Sequence, residues 1–187
     1  MYILLATLVA CGPKKEDKTP IASEQPIATE KSTEATSPPR SNQKGNGSVI
    51  LDGSSVRVYW DDGDTFAFYP DGQKKKKARL NGLNSLESYG PVHQWGEWTE
   101  QELYVLSKKA GEFARSKEWT CTDTQKGGGY GRILVDCPDF RIAILEEGLA
   151  HPFSVGGPAP AEDIAAMNKA IAGKKGMWEK GVPTLLI

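Results

Sequence analysis

Three short stretches of the chain carry side chains suited to work on a charged ester. Asp61-Asp62-Gly63-Asp64-Thr65 crowds carboxylates onto a turn. Arg79-Leu80-Asn81-Gly82-Leu83-Asn84-Ser85-Leu86-Glu87 has a guanidinium at one end and a carboxylate at the other. Tyr130-Gly131-Arg132 sets an aromatic ring beside a second guanidinium. A phosphodiester is anionic and repels hydroxide. Guanidiniums offer forked donors to the charge that develops on its oxygens. A carboxylate near the attacking water can take or direct its proton. Oxygen-rich clusters can also hold a hard cation such as Ca²⁺. Each stretch has a plainer reading as well, a polar turn or an arginine paired for structure. Their conjunction favours chemistry.

The elements that must position these residues follow from periodicity. Val56, Val58 and Trp60 alternate with Arg57 and Tyr59, which predicts a strand with one buried face. Thr65 to Tyr69 reads as a second strand and Lys75 to Leu83 as a third, separated by the turn signal Pro70-Asp71-Gly72. Ser85 to Trp98 reads as loop. Thr99 with Glu102 three residues on is a capping box, and Leu103, Leu106, Ala110 and Phe113 form the apolar stripe of the helix it opens. Glu118 to Thr124 and Ile133 to Asp136 predict a hairpin whose tip is Gly127 to Gly129. A short helix around Arg141 to Glu147 stops at Gly148, and another spans Ala161 to Ala172. Five strands and three helices predict an α+β domain, a small Greek-key barrel with helices packed outside.

Composition divides the chain. Residues 12–47 contain no aromatic residue and are rich in Pro, Ser, Thr, Glu and Lys, so they read as a disordered linker. The folded domain is expected at 48–180, with a C-terminal tail at 181–187. The first 47 residues hold six Lys/Arg and five Asp/Glu, which leaves 17 and 19 for the remainder. A polybasic nucleic-acid binder is thereby excluded, and long-range steering toward nucleic acid should be modest. Lys74 to Lys77 reads as a solvated strand start. His93 and His151 stand isolated, and Trp95, Trp98 and Trp178 read as packing residues.

The apolar residues 1–11 end in Leu8-Val9-Ala10-Cys11, which resembles a bacterial lipoprotein signal. That resemblance implies lipidation of Cys11 and a lipid-anchored or extracellular location in the cell envelope. Gly12 is similar to the residue found after the lipidated Cys in lipoproteins sent to an outer membrane. Acyl chains would supply the membrane affinity and the linker would free the domain from the surface. Removing Cys11 leaves Cys121 and Cys137, on opposite arms of the predicted hairpin in an oxidising compartment. A disulfide between them is expected, with two buried free thiols as the alternative.

The order and spacing of the three stretches resemble the staphylococcal nuclease-like (thermonuclease) family. Glu147-Gly148-Leu149-Ala150 and Gly176-Met177-Trp178 agree with it, and the likeness spans about residues 49–180. It implies a five-stranded OB-fold barrel with three helices. It also implies a monomeric, calcium-dependent nuclease acting on single-stranded or flexible DNA or RNA. Asp64, Asn84 and the Ser85 carbonyl would bind Ca²⁺. Glu87 would act as general base or orient water. Arg79 and Arg132 would hold the phosphate, and Tyr130 would lie beside the nucleotide. The chain departs from the family pattern at Asn84, where an Asp is usual, at Leu86, where a Pro is usual, and in His151-Pro152-Phe153-Ser154, which lacks tyrosines. Asn84 feeds a second reading, a catalytically weak OB-type module that binds nucleic acid or another envelope polymer.

Overall fold

The computed structural model describes residues 45–70, 73–87 and 95–183. Cys11, His93, most of the linker and the last four residues lie outside this range. The strands are β1 (Gly47–Leu51), β2 (Ser54–Trp60), β3 (Thr65–Phe68), β4 (Lys76–Leu80), β5 (Leu83–Ser85), β6 (Trp119–Gly127), β7 (Ile133–Asp136) and β8 (Ala150–Pro152). The helices are α1 (Glu100–Ala114), α2 (Pro138–Glu146) and α3 (Ala161–Ala172), followed by a 3₁₀ turn at Gly176–Trp178. The result is an α+β fold built on a closed barrel.

The barrel has six strands, in the order β1-β2-β3-β4-β7-β6. This corrects the expected count of five. The added strand is β1, which pairs antiparallel with β2 and parallel with β6, and so closes the sheet. Only Val49 of β1 is fully buried, so the strand carries little periodic signal of its own. The folded part also begins earlier than expected. The Asn46 side chain accepts from Trp60 N at 2.8 Å and donates to Trp60 O at 3.2 Å. The predicted third strand breaks at Gly82, whose φ of +83° turns β4 into β5. β5 then leaves the barrel and pairs with β8 in a separate two-stranded sheet.

The barrel interior is aromatic. Trp60 meets Phe66 edge-on at 5.0 Å and stacks on Phe140 of α2 at 5.5 Å. Trp119 meets the same Phe140 edge-on at 5.1 Å. These rings join barrel and helix into one core. A smaller cluster of Leu86, Leu103, Leu106, Met177 and Trp178 sits under α1. Trp95 and Trp98 both donate their indole N–H to the Met177 carbonyl, at 3.0 and 3.1 Å. The tryptophans are thus packing residues, as expected from sequence.

Gly148 and Gly176 explain two of the sequence motifs. Both have positive φ. A Cβ on Gly148 would stand 2.2 Å from the Lys175 carbonyl oxygen, and one on Gly176 would stand 2.2 Å from that of Gly148. The two backbones touch, and Met177 N donates to Gly148 O at 2.8 Å. That contact ties the turn after α2 to the 3₁₀ turn. The α1 capping box is present in full, with Thr99 and Glu102 reciprocally bonded.

Cys121 and Cys137 form a disulfide with a Cα–Cα distance of 4.2 Å. They sit one step beyond the Thr122↔Asp136 pair of β6 and β7. The bridge closes a segment 16 residues apart in sequence, the hairpin that carries Tyr130 and Arg132. Chain entropy assigns such a loop about 3 kcal/mol. Cys121→Ser with Cys137→Ser should therefore lower unfolding free energy by roughly that amount in urea titration. Equal stability of variant and wild type would contradict the clamp.

Candidate functional site

Asp64 is the centre of the site and is fully buried. It follows a turn in which Asp64 N donates to Asp62 Oδ1 at 2.9 Å. Gly63 permits this turn to press against the body of the protein. A Cβ there would lie 2.8 Å from Ala110 Cβ of α1 and 2.9 Å from Ser85 Cβ of β5. Close approach brings β5 within reach of the carboxylate. Asp64 Oδ2 accepts from Ser85 N at 2.7 Å and from Ser85 Oγ at 3.1 Å. Asp64 Oδ1 accepts from Thr65 Oγ1 at 3.0 Å and from Arg79 Nη1. Arg79 Nη2 donates in turn to Asn84 Oδ1, and to the Leu83 carbonyl at 3.3 Å.

The expected calcium ligands are therefore brought together, with a guanidinium between them. Each Asp64 oxygen has two donors, which fills the lone-pair directions of a carboxylate. Asn84 Oδ1 is held by the same arginine. Among the described residues no group of three or more His, Cys, Asp or Glu side chains is arranged to hold a metal ion. In this arrangement the residues do not fit Ca²⁺. The positive charge between Asp64 and Asn84 belongs to Arg79.

Beside this cluster a cavity of about 400 Å³ opens to solvent, lined by Asp61, Asp62, Thr65, Lys77, Glu87 and Arg132. Glu87 and Arg132 thus meet on one opening, although 45 residues separate them in sequence. Arg132 reaches it from the start of β7, with Nε donating to Gly129 O at 3.2 Å. Tyr130, at the hairpin tip with φ of +51°, is wholly exposed, and the Arg132 guanidinium lies 5.5 Å from its ring centre. Lys77 bridges to Asp61 at 2.6 Å. Burial pushes the Asp62 carboxyl up to about 7, helped by the negative charges of Asp64 and Glu87.

The two arginines thus have different surroundings. Arg79 is locked in a mostly buried ion pair, whereas Arg132 stands free on the cavity. Asp62, Asp61, Thr65 and Lys77 are cavity residues that sequence reasoning left as turn or solvated strand. Their signal was adjacency to Asp64 and register with Arg79. His151 was missed as a neighbour altogether. It faces Asn84 across the β5–β8 pair and stacks on Trp95 at 5.8 Å. Burial lowers its pKa, so the ring is neutral at pH 7. Only the pairing of β5 with β8 reveals that placement.

No family model matches the chain, and no curated protein matches it.

Two outcomes follow from this geometry. Arg79→Met leaves the Asp64 carboxylate buried without its counter-charge, so it should cost about 3–5 kcal/mol in urea unfolding. A loss below ~1 kcal/mol would show that Asp64 does not depend on the pair. Asn84→Asp gives Arg79 a second carboxylate and should not create calcium affinity. Tenfold tighter Ca²⁺ binding by calorimetry in that variant would place position 84 among cation ligands and overturn the assignment.

Proposed function

We propose that the chain is a phosphodiesterase of the nuclease type, acting on single-stranded or flexible DNA or RNA as a monomer. The observation that carries this reading is the convergence of Glu87 and Arg132 on the cavity, next to a carboxylate cluster. Its order of motifs resembles the staphylococcal nuclease-like family, and the closed barrel with three helices is compatible with an OB-fold. Arg132 offers two N–H groups to the non-bridging phosphate oxygens, and Lys77 adds a charge at the cavity wall. Glu87 accepts a proton from water as the water oxygen bonds to phosphorus. The ester P–O bond breaks, and the departing sugar oxygen takes a proton from solvent. Asp64 and Arg79 hold the walls rather than the substrate.

Calcium dependence is implied by the resemblance alone. No step here passes through a cation, because Arg79 engages the oxygens that would bind it. A cleavage assay run with Ca²⁺ and with chelator measures the dependence directly. The lipid anchor at Cys11, in the envelope or its outer membrane, belongs to the same proposal. Among the described residues no helix is long and apolar enough to cross a membrane. The engaged Asp64 and the amide at position 84 favour a second reading, a catalytically weak module that binds nucleic acid or another envelope polymer without cutting it.

Single-stranded DNA and the purified chain separate the two. Glu87→Gln should slow cleavage by ~10²–10⁴-fold and Arg132→Ala by ~10²–10³-fold. Neither should change stability by more than about 0.5 kcal/mol, since both side chains are partly exposed. Cleavage unaffected by either change would end the catalytic assignment. Binding without cleavage in every condition would leave the binding module.

A further inference from the structure

The outer face of β2, β3 and β4 continues from the cavity without a break. Strand register sets its rows. Thr65 pairs with Arg79 at the cavity end. The next outward row is Tyr59, Ala67 and Lys77. One further step along the same faces lie Arg57, Tyr69 and Lys75. Inward positions alternate with these and are core: Val58, Trp60, Phe66, Phe68, Ala78 and Leu80 are buried. Tyr59 is 49% and Tyr69 42% exposed, which is costly for rings that could turn inward and demands a use.

Charge on this face departs from that of the whole chain. β2, β3 and β4 contain no acidic residue, although the chain has 24 Asp and Glu. Among the described residues, Arg57 and Lys74 to Lys76 take part in no ion pair, and Lys77 bridges to Asp61 at the cavity mouth. Successive outward rows lie about 7 Å apart. That spacing is close to the rise of an extended single strand, so each row can meet one nucleotide. A flat ring accepts any base, and a cation beside it meets the phosphate.

We infer that the β2–β3–β4 face is a track for single-stranded nucleic acid, with Tyr59 and Tyr69 as stacking rings and Arg57 and Lys75 as phosphate contacts. The track deepens the proposed function and rests on the reading of the cavity as a phosphodiester site, since it feeds a strand to Lys77 and Arg132. The sequence-level expectation of weak steering came from net charge. The face concentrates cations that net charge averages away. Aromatics interleaved with cations, with no exposed aliphatic residue in the rows, suit a stacked polyanion better than a lipid surface.

The test uses the full chain, chelator to suppress turnover, and fluorescence anisotropy with labelled dT₂ and dT₈. The longer strand should bind at least ~10-fold tighter than dT₂. Tyr59→Ala with Tyr69→Ala should abolish that gain while leaving dT₂ binding intact, and Tyr→Phe at both should keep it. Arg57→Ala with Lys75→Ala should reduce the salt slope by about 0.7 for each cation removed. Equal affinity for the two lengths, or a gain that survives the Tyr→Ala pair, overturns the track. So does binding to vesicles of anionic phospholipid with no length gain on oligonucleotides. The cavity is scored separately, by Arg132→Ala on dT₂ binding and on cleavage. A length gain without cleavage keeps the track and removes the hydrolase. Cleavage without a length gain does the reverse.

Discussion

One buried carboxylate organises this end of the molecule. Asp64 sits without solvent contact, and a charge in such a place is tolerated only with full hydrogen bonding and a partner of opposite sign. It obtains both from Thr65, Ser85 and Arg79. Those residues belong to the turn before β3, to β4 and to β5. Satisfying the carboxylate therefore fixes three segments relative to one another. Because β5 is held there, it is drawn away from the barrel to meet β8.

The cavity exists because of that arrangement. With Arg79 turned inward, Asp62, Lys77, Glu87 and Arg132 are left around an opening rather than around an ion pair. The arginine that stabilises the wall and the arginine that faces solvent thus have different jobs. Asn84 is consistent with this division. An amide oxygen can accept from Arg79 without adding a second negative charge to a pocket that already raises Asp62.

The opposite wall is held by other means. The hairpin carrying Tyr130 and Arg132 is long and ends in a run of glycines, a geometry that would leave Arg132 poorly placed. The Cys121–Cys137 bridge anchors the base of that hairpin, so freedom is confined to its tip. Behind it, Arg141 bonds to Asp136 at 2.5 Å and to Asp163 at 3.0 Å, joining the end of β7 to α2 and α3. The site is thus supported by two sets of constraints that are far apart in sequence.

Local patterns were enough to read much of this from the chain. Alternation marked β2 and β3, the capping box marked the start of α1, and the opposed cysteines marked their bridge, because each is set by neighbours within a few residues or one hairpin. The pairing of Glu87 with Arg132 was legible only as an order of motifs. β1 was not legible, since a strand with a single buried residue has no period to detect and is defined by partners 8 and 70 residues away. The state of Asp64, Arg79 and Asn84 was not legible either. Residue types said that an acid, an amide and a guanidinium were present. Whether the guanidinium faces a substrate or fills the space between the other two depends on burial and on the path of β5. Those are set by the closed barrel and by the contact of Gly63 with α1, which only the tertiary structure decides.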